Sequence, residues 1–360
     1  MPLKVSVVVA VYAIPQRILR ESLDCLLRQS CQEAEFILVN DKSPDNYTLG
    51  VLEEYAAKDK RFRVINNVEN RGLAAVTNIG IEEASGKYFC RIDPDDLVPD
   101  NYLETLAAVM DHYDADMVTC AIRDFKDGEN IAFQNNIKAE RYLKNANIGE
   151  RKLFRQKFIC RLFKREVIGD LRFDENLLRA EDLIFIHQYL VRCKRCVEID
   201  FPGYFYRHGR MCTEQETAMF SAVPRRLPKH FYEEPRITVD AFRDLYGECK
   251  TPDERFFVTY MLVRRFMRTV FWNRKGMQYY YEELCRIQNE HFAESVLPTV
   301  DKVLPLFAKM LKGLFPAKEM NKLFFFRLQL LRFLFEMRYA GYHMRRIADR
   351  IMLKIKHVVW

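Results

Sequence analysis

The run Val5-Ser6-Val7-Val8-Val9, residues 5–9, predicts a β-strand that is buried on both faces of a sheet. Both of its faces are apolar, and the run is too short for a helix. A helix is predicted next, over residues 18–27, because leucine and isoleucine recur there at the helical period. The run Phe36-Ile37-Leu38-Val39 then predicts a second buried strand.

Strand and helix patterns alternate in this way as far as residue 122. Further strands are predicted over residues 62–65, 88–92 and 116–122, and further helices over residues 49–57, 74–84 and 102–110. Such an alternation is typical of a sheet that carries helices on both faces. We therefore predict a mixed, mainly parallel α/β sheet, followed by a mainly α-helical C-terminal region.

The composition is that of a folded protein with room for two domains. The chain has 360 residues, of which 49% are hydrophobic and 30% are charged. Its 10 Cys residues show no regular spacing and its first residues do not form a signal peptide, so we expect reduced thiols in a cytoplasm. No apolar stretch reaches the roughly 18 residues of a membrane-spanning helix. Any membrane contact is therefore expected to be peripheral.

Composition also changes along the chain. Residues 1–220 hold the α/β pattern, and residues 239–360 are helical in character. Residues 221–238, between them, combine prolines with basic residues, which is typical of a linker. The net charge of +7 comes from the C-terminal part, because residues 251–360 hold twice as many Lys and Arg residues as Asp and Glu residues.

The end of the chain, taken as a helix, has a basic stripe. Arg327, Arg338, Arg345 and Lys356 fall on one side of the helical wheel. One interpretation is a helix on an anionic membrane surface, where each basic residue contributes about 1 kcal/mol. The other is a helical subdomain that packs on the rest of the protein, with a solvated basic face. No module that reads nucleic-acid bases is present, so nucleic acid is not an expected partner.

Acidic residues cluster where predicted strands end, which is where such sheets bind ligands. Asn40-Asp41-Lys42-Ser43-Pro44-Asp45 follows the second strand, and Asp93-Pro94-Asp95-Asp96 follows the strand over residues 88–92. Neighbouring carboxylates repel one another unless a cation or a hydrogen-bond donor offsets their charge. The second cluster therefore indicates either a divalent metal that also binds nucleotide phosphates, or a solvated turn.

Several motifs in the first 210 residues together resemble those of the family 2 glycosyltransferases, which have the GT-A type of nucleotide-binding fold. The matching segments are Val5–Tyr12, Val39–Asp45, Asn70-Arg71-Gly72, Asn78-Ile79-Gly80, Gly86–Asp96 and Glu181-Asp182. Each motif is weak alone, but their order along the chain makes the resemblance specific. Two positions depart from the family pattern, since Lys42 stands where Gly is common and Thr77 where Arg is common.

The resemblance implies how a nucleotide-sugar donor is bound. Ala10 and Tyr12 would line the base pocket, and Arg71 would lie near the base or the diphosphate. Asp41 would accept a hydrogen bond from the imide N–H of uracil, a donor that cytosine lacks. The resemblance therefore favours a UDP-sugar.

It also implies how the sugar is transferred. Asp93 would hold the ribose or the donor sugar, and Asp95, assisted by Asp96, would ligate a Mn²⁺ or Mg²⁺ ion that bridges the two phosphates. Asp182 would be the general base that takes the proton of the acceptor hydroxyl, with Glu181 as the alternate. The alternative is that Glu181 and Asp182 only favour the N-terminus of a helix.

The segment Tyr204–His208 resembles the family segment that reaches back over the donor phosphates. Arg207 would pair with a phosphate and His208 would complete the metal site, although a hydrogen-bonded structural histidine is an alternative. A competing interpretation takes Cys193, Cys196, His208 and Cys212 as ligands of a structural zinc ion.

The predicted function is therefore an inverting, metal-dependent glycosyltransferase. It would move a sugar from a UDP-sugar to a glycan or lipid-linked hydroxyl in the synthesis of surface polysaccharide or lipopolysaccharide. A sugar nucleotidyltransferase is an alternative, but Tyr12–Arg17 contains no Gly where that class has a Gly-rich loop. A non-catalytic relative that binds nucleotide or glycan and serves in an assembly is the other alternative.

Overall fold

The computed structural model describes residues 4–133, 140–144, 158–177, 181–209, 213–216, 234–249, 255 and 258. The chain divides into two compact units, Met1–Leu227 and Pro228–Trp360. This division falls inside residues 221–238, whose role as a linker stays a prediction. The predicted basic helix at the end of the chain lies outside the described residues. Within the described ranges, no helix has the length and apolar character needed to cross a membrane.

Strands and helices alternate along the first unit. Its strands are β1 (Val5–Val11), β2 (Ala34–Asn40), β3 (Phe62–Asn66), β4 (Tyr88–Arg91), β5 (Met117–Thr119), β6 (Ile122–Lys126), β7 (Glu140–Lys144), β8 (Arg161–Lys164), β9 (Arg195–Ile199) and β10 (Tyr204–His208). Its helices are α1 (Gln16–Leu27), α2 (Thr48–Lys58), α3 (Leu73–Glu83), α4 (Tyr102–His112), α5 (Arg165–Ile168) and α6 (Glu181–Arg192). In the second unit the structure describes α7 (Glu234–Glu248).

Eight strands form one sheet in the order β3-β2-β1-β4-β8-β5-β9-β7. The pairs of β1 with β2, of β1 with β4, of β2 with β3 and of β5 with β9 are parallel. Strand β8 runs antiparallel to β4 and β5, and β7 runs antiparallel to β9. The predicted mixed, mainly parallel sheet is thus confirmed. A second sheet consists of β6 and β10 in parallel.

Both faces of strand β1 are buried, as its sequence predicts. Val5, Val7 and Val9 belong to an apolar cluster with side chains of α1, α2 and α4. Val8 belongs to a second cluster on the other face, with side chains of α3 and α6. Helices therefore cover both faces of the sheet, and the carboxyl ends of β1, β2 and β4 lie side by side at one edge.

The prediction of a single strand over residues 116–122 is wrong in one respect. The chain forms two strands there, β5 in the large sheet and β6 in the small one. Between them, the Cys120 N–H donates to the carbonyl of Cys160, and the Ala121 N–H donates to the carbonyl of Phe201. These two partners lie on different segments, so the chain leaves the large sheet at this point, although its apolar pattern is continuous.

Gly80 lets helix α3 lie directly on strand β1. A Cβ atom at this position would come within 2.5 Å of Val8 Cβ, which is far inside van der Waals contact. We therefore expect Gly80→Ala to lower the free energy of unfolding by about 1–3 kcal/mol, the usual cost of overpacking a core. Urea or thermal unfolding followed by circular dichroism measures this loss.

Gly50 is the matched control for this substitution. It lies inside helix α2, and a Cβ atom there would meet nothing within 4 Å. Gly50→Ala is expected to raise stability by about 0.5–1 kcal/mol, because alanine loses less conformational freedom in a helix than glycine does. Equal changes in the two variants would show that α3 does not pack on β1 in this way.

Candidate functional site

A cavity of about 320 Å³ opens at the carboxyl ends of β1 and β2. Its described lining includes five of the residues that the sequence singled out, namely Ala10, Tyr12, Asp41, Arg71 and Glu181. It also includes Asn70 and Gly72 of the motif Asn70-Arg71-Gly72, and residues that the sequence analysis did not select, namely Leu73, Ala74, Val76, Glu175 and Leu177. The volume is in the range of pockets that hold small-molecule ligands.

Asp41 organises the wall of this cavity and is 3% exposed. Its Oδ1 accepts hydrogen bonds from Asn67 Nδ2 and from the backbone N–H of Arg71, both at 2.9 Å. Its Oδ2 accepts one from the backbone N–H of Gly72 at 2.8 Å. The carboxylate thereby holds the loop that enters helix α3. A carboxylate offers about four acceptor directions, so these three hydrogen bonds leave one direction on Oδ2 without a described donor.

Two other residues of the same motif have local structural roles. Asn40 Nδ2 donates to Asn66 Oδ1 at 2.8 Å, which ties β2 to β3. Asp45 Oδ1 accepts from the backbone N–H of Thr48 at 2.6 Å, at the start of α2. Lys42 has a φ of 58°, in the left-handed region that favours glycine. This conformation explains why glycine suits the position.

Glu175 is a carboxylate in the cavity wall that the sequence analysis missed. Its Oε2 lies 3.3 Å from Arg71 Nη2, and its Oε1 accepts from Asn78 Nδ2 at 3.1 Å. Asn78 also binds the backbone of Phe173 in both directions, at 2.8 Å and 2.9 Å. Asn78, within the motif Asn78-Ile79-Gly80, thus fixes the loop that brings Glu175 to Arg71.

A second group of acidic residues follows strand β4, outside the described lining of the cavity. Burial raises the pKa of Asp96 to about 8, with the charges of Asp93 and Asp95 adding to the effect. Burial likewise raises the pKa of Asp93, which Arg91 opposes and Asp95 and Asp182 reinforce. A hydrogen bond from the Tyr204 hydroxyl and one from the backbone N–H of Arg207 oppose this rise in the pKa of Asp96. These shifts favour the neutral form of Asp93 and Asp96 in the absence of a cation.

Arg207 on strand β10 binds this acidic loop. The backbone N–H of Arg207 donates to Asp96 Oδ1 at 2.8 Å, and its Nε donates to the carbonyl of Asp95 at 2.6 Å. Its Nη1 and Nη2 pair with Asp127 at 2.6 Å and with Glu21 at 2.9 Å. Each guanidinium nitrogen therefore has a protein partner. The structure places Arg207 as a support of the loop, and its contact with a phosphate stays a prediction.

Asp182 lies in the first turn of α6 and is paired with a buried arginine. Its Oδ1 is 3.1 Å from Arg91 Nη1, and its Oδ2 is 3.3 Å from Arg91 Nη2. The Nε of the same guanidinium is 3.0 Å from Asp93 Oδ1. Burial lowers the pKa of Arg91, but the charges of Asp182 and Asp93 outweigh burial, and the pKa is raised above its ordinary value. Arg91 therefore stays charged between the two carboxylates.

The acidic group suits a divalent cation in its chemistry. Neighbouring carboxyl groups with raised pKa values, Asp93 and Asp96, are what a bound cation would offset. Across the described ranges, no group of three or more His, Cys, Asp or Glu side chains is placed to hold a metal on its own. Mg²⁺ and Mn²⁺ commonly take one or two carboxylates and complete their coordination with substrate phosphates and water.

His208 lies at the exposed end of β10. Its Nε2 is 2.9 Å from Asp124 Oδ1, and its side chain is 56% exposed. Cys193 and Cys196 are buried, and their sulfur atoms are 3.1 Å apart. Cys212 lies outside the described residues. The described members of the alternative zinc ligand set, Cys193, Cys196 and His208, do not form a zinc site. The role of His208 in the Mn²⁺ or Mg²⁺ site stays a prediction.

Comparisons with known proteins point to one family. Residues 6–172 match the sequence model of glycosyl transferase family 2. The uncharacterized glycosyltransferase EpsJ of Bacillus subtilis is 31% identical over 254 residues, which cover 68% of this chain and 72% of EpsJ. The minor teichoic acid biosynthesis protein GgaB of B. subtilis is 27% identical over 212 residues, which cover 56% of this chain and 23% of GgaB.

The fold itself is found in a solved structure. The crystal structure of S. aureus TarS 1-349 in complex with UDP-GlcNAc matches with a TM-score of 0.59 and 20% sequence identity. The match covers 86% of this chain and 87% of that one. The two chains therefore share a fold.

Proposed function

The chain belongs to the family 2 glycosyltransferases, and from this membership we propose that it transfers a sugar from a UDP-sugar to an acceptor hydroxyl with inversion at the anomeric carbon. We infer UDP from the hydrogen bonding of the Asp41 carboxylate. Three N–H groups occupy its oxygens, and the remaining acceptor direction on Oδ2 suits the imide N–H of uracil. Cytosine presents an acceptor at the same ring position, so its lone pair would face the carboxylate oxygen and repel it.

The cavity offers a place for the base and the diphosphate of the donor. Ala10 and Tyr12 offer it an apolar and an aromatic wall at the end of β1. Arg71 lies at the same cavity and brings a guanidinium that suits a phosphate, as guanidinium groups commonly do. Its present partner, Glu175, is 42% exposed, so the pair is solvated and a phosphate can compete for the guanidinium.

The acidic loop supports the metal part of the proposal. Asp95, assisted by Asp96, would hold Mn²⁺ or Mg²⁺, and Asp93 would hold the ribose or the donor sugar. The ion, when bound, supplies positive charge that stabilises the departing diphosphate. Arg207 keeps the loop in place through the carbonyl of Asp95 and the carboxylate of Asp96.

Asp182 is the proposed general base. It would accept the proton of the acceptor hydroxyl while that oxygen bonds to the anomeric carbon and the bond to the β-phosphate breaks. Its side chain is 23% exposed, so one edge remains open to an acceptor. Glu181, the alternate, lines the donor cavity itself.

The proposed acceptor is a glycan or a lipid-linked glycan of a cell-surface polymer. This acceptor is supported by the similarity to GgaB, a minor teichoic acid biosynthesis protein. The match covers 23% of GgaB. Cytoplasmic location and peripheral membrane contact through residues 239–360 remain predictions from the sequence.

Calorimetric titration with UDP and with CDP in the presence of Mn²⁺ tests the choice of nucleotide. We expect UDP to bind at least about tenfold more tightly, because a hydrogen bond to a charged group contributes about 1.5–3 kcal/mol. GDP serves as a comparison of the same charge with a larger base. Equal affinity for UDP and CDP would show that Asp41 does not select the base.

A further inference from the structure

A buried guanidinium lies among the proposed catalytic carboxylates. Arg91 is the last residue of β4 and is 2% exposed. Its Cζ atom lies 5.1 Å from the centre of the Phe158 ring. Its Nη1 also lies 3.4 Å from Thr77 Oγ1 on helix α3. The sheet, an aromatic ring and a helix therefore fix the plane of this guanidinium.

The guanidinium joins two carboxylates from separate elements. Its Nε faces Asp93 in the loop after β4, and its two terminal nitrogens face both oxygens of Asp182 in the first turn of α6. Such a fork is possible for arginine and not for lysine, whose ammonium group is a single point of charge. One rigid group thus sets the distance between the two carboxylates.

Asp182 makes one further contact with a described residue, and it is weaker than the pair with Arg91. The backbone N–H of Phe158 lies 3.4 Å from Asp182 Oδ2, which is long for a hydrogen bond. The side chain of Asp182 is also partly exposed, whereas that of Arg91 is buried. The orientation of the Asp182 carboxylate therefore depends mainly on Arg91.

We propose that Arg91 is a positioning residue for sugar transfer, which holds Asp182 on the acceptor side in register with Asp93 on the donor side. This inference rests on the proposed function, because it takes Asp182 as the general base. Arg91 itself lies outside the described lining of the donor cavity. It acts through the two carboxylates, and its loss is expected to lower kcat much more than nucleotide affinity.

The position of Thr77 offers a way to separate this role from a purely structural one. Thr77 is fully buried, and its hydroxyl already touches the guanidinium. An arginine at residue 77 would therefore reach the same two carboxylates from α3 once the side chain at residue 91 is shortened. The double variant Thr77→Arg/Arg91→Leu moves the guanidinium to another element and keeps its place in space.

The assay is UDP release from UDP-glucose, UDP-galactose, UDP-N-acetylglucosamine and UDP-N-acetylgalactosamine, with Mn²⁺ and with water as the acceptor. Hydrolysis also needs Asp182, which takes the proton of the attacking water. Arg91→Leu should lower kcat by about 100-fold, within the range of a misplaced general base, while the Kd for UDP changes by less than about threefold. Arg91→Lys should fall between the wild type and Arg91→Leu, and the double variant should regain at least about tenfold.

Arg61→Leu is the matched control. Arg61 has an 8% exposed side chain and binds the carbonyls of Leu27, Gln29 and Cys31 at the opposite edge of the sheet. Its loss should lower the melting temperature without lowering kcat. If Arg91→Leu does not fold, Arg91→Lys and the double variant carry the same test.

The outcomes are distinct. A wild type that releases no UDP from any of the four donors overturns the proposed function, and this inference falls with it. An active wild type together with an equally active Arg91→Leu variant overturns the inference alone. So does an Arg91→Leu variant that loses UDP affinity in proportion to kcat, or a folded double variant that regains nothing.

Discussion

Replacing Asp182 with Asn is expected to slow sugar transfer by about 10²- to 10⁴-fold, the range that a general base contributes. Asparagine has the same shape, and its carbonyl oxygen still accepts a hydrogen bond from Arg91. It cannot take the proton of the acceptor hydroxyl. Affinity for UDP should remain unchanged, because Asp182 lies outside the described lining of the donor cavity. UDP release and calorimetry, on the same preparation, measure the two quantities.

Glu181→Gln is the control for this prediction, since it changes the neighbouring carboxylate of the same helical turn. Glu181 lines the cavity, so its variant should alter donor affinity more than Asp182→Asn does. Full activity of Asp182→Asn together with an inactive Glu181→Gln would transfer the role of base to Glu181. The melting temperature of Asp182→Asn should be checked, because the substitution also removes one charge from a buried ion pair.

Replacing Asp95 with Asn should abolish the dependence of UDP binding on Mn²⁺. The substitution keeps the volume of the side chain and removes the charge that the cation needs. The loss in UDP affinity is expected to be at least about 100-fold, because metal coordination to phosphate contributes several kcal/mol. Calorimetric titration with UDP, with and without Mn²⁺, measures it in both proteins.

Asp100→Asn is the matched control for Asp95→Asn. Asp100 is exposed and pairs only loosely with Arg28, at 3.2 Å. Its variant should keep the metal-dependent affinity of the wild type. If Asp95→Asn also keeps it, the cation is not held by the acidic loop.

Much of the sheet is predictable from the sequence because its strands are buried on both faces. The continuous apolar run of β1 and the helical spacing over residues 18–27 leave few alternatives, and both elements are confirmed. The same signal fails at Cys120, where the apolar pattern continues although the chain moves from one sheet to another. Only distant partners, Cys160 and Phe201, decide that change, and a local pattern does not contain them.

The site is predictable in part for a similar reason. Asp41 follows a strand, so its place at the sheet edge is implied by the fold. Glu175 follows no strand and belongs to no motif, and it reaches the cavity through Asn78, which lies 97 residues earlier. Arg91 did leave a signal, because a charged residue interrupts an apolar strand two positions before Asp93. The role of Arg91 depends on its contact with Asp182. That contact is set by the packing of α6 on the sheet, which a local pattern does not contain.

The most direct test of the central claim is calorimetric titration of the wild-type protein with UDP, in Mn²⁺ and in chelator. We predict one UDP site whose affinity falls sharply when the metal is removed. Absence of UDP binding in Mn²⁺, with CDP and GDP equally silent, would contradict the claim that this chain is a nucleotide-sugar-dependent transferase.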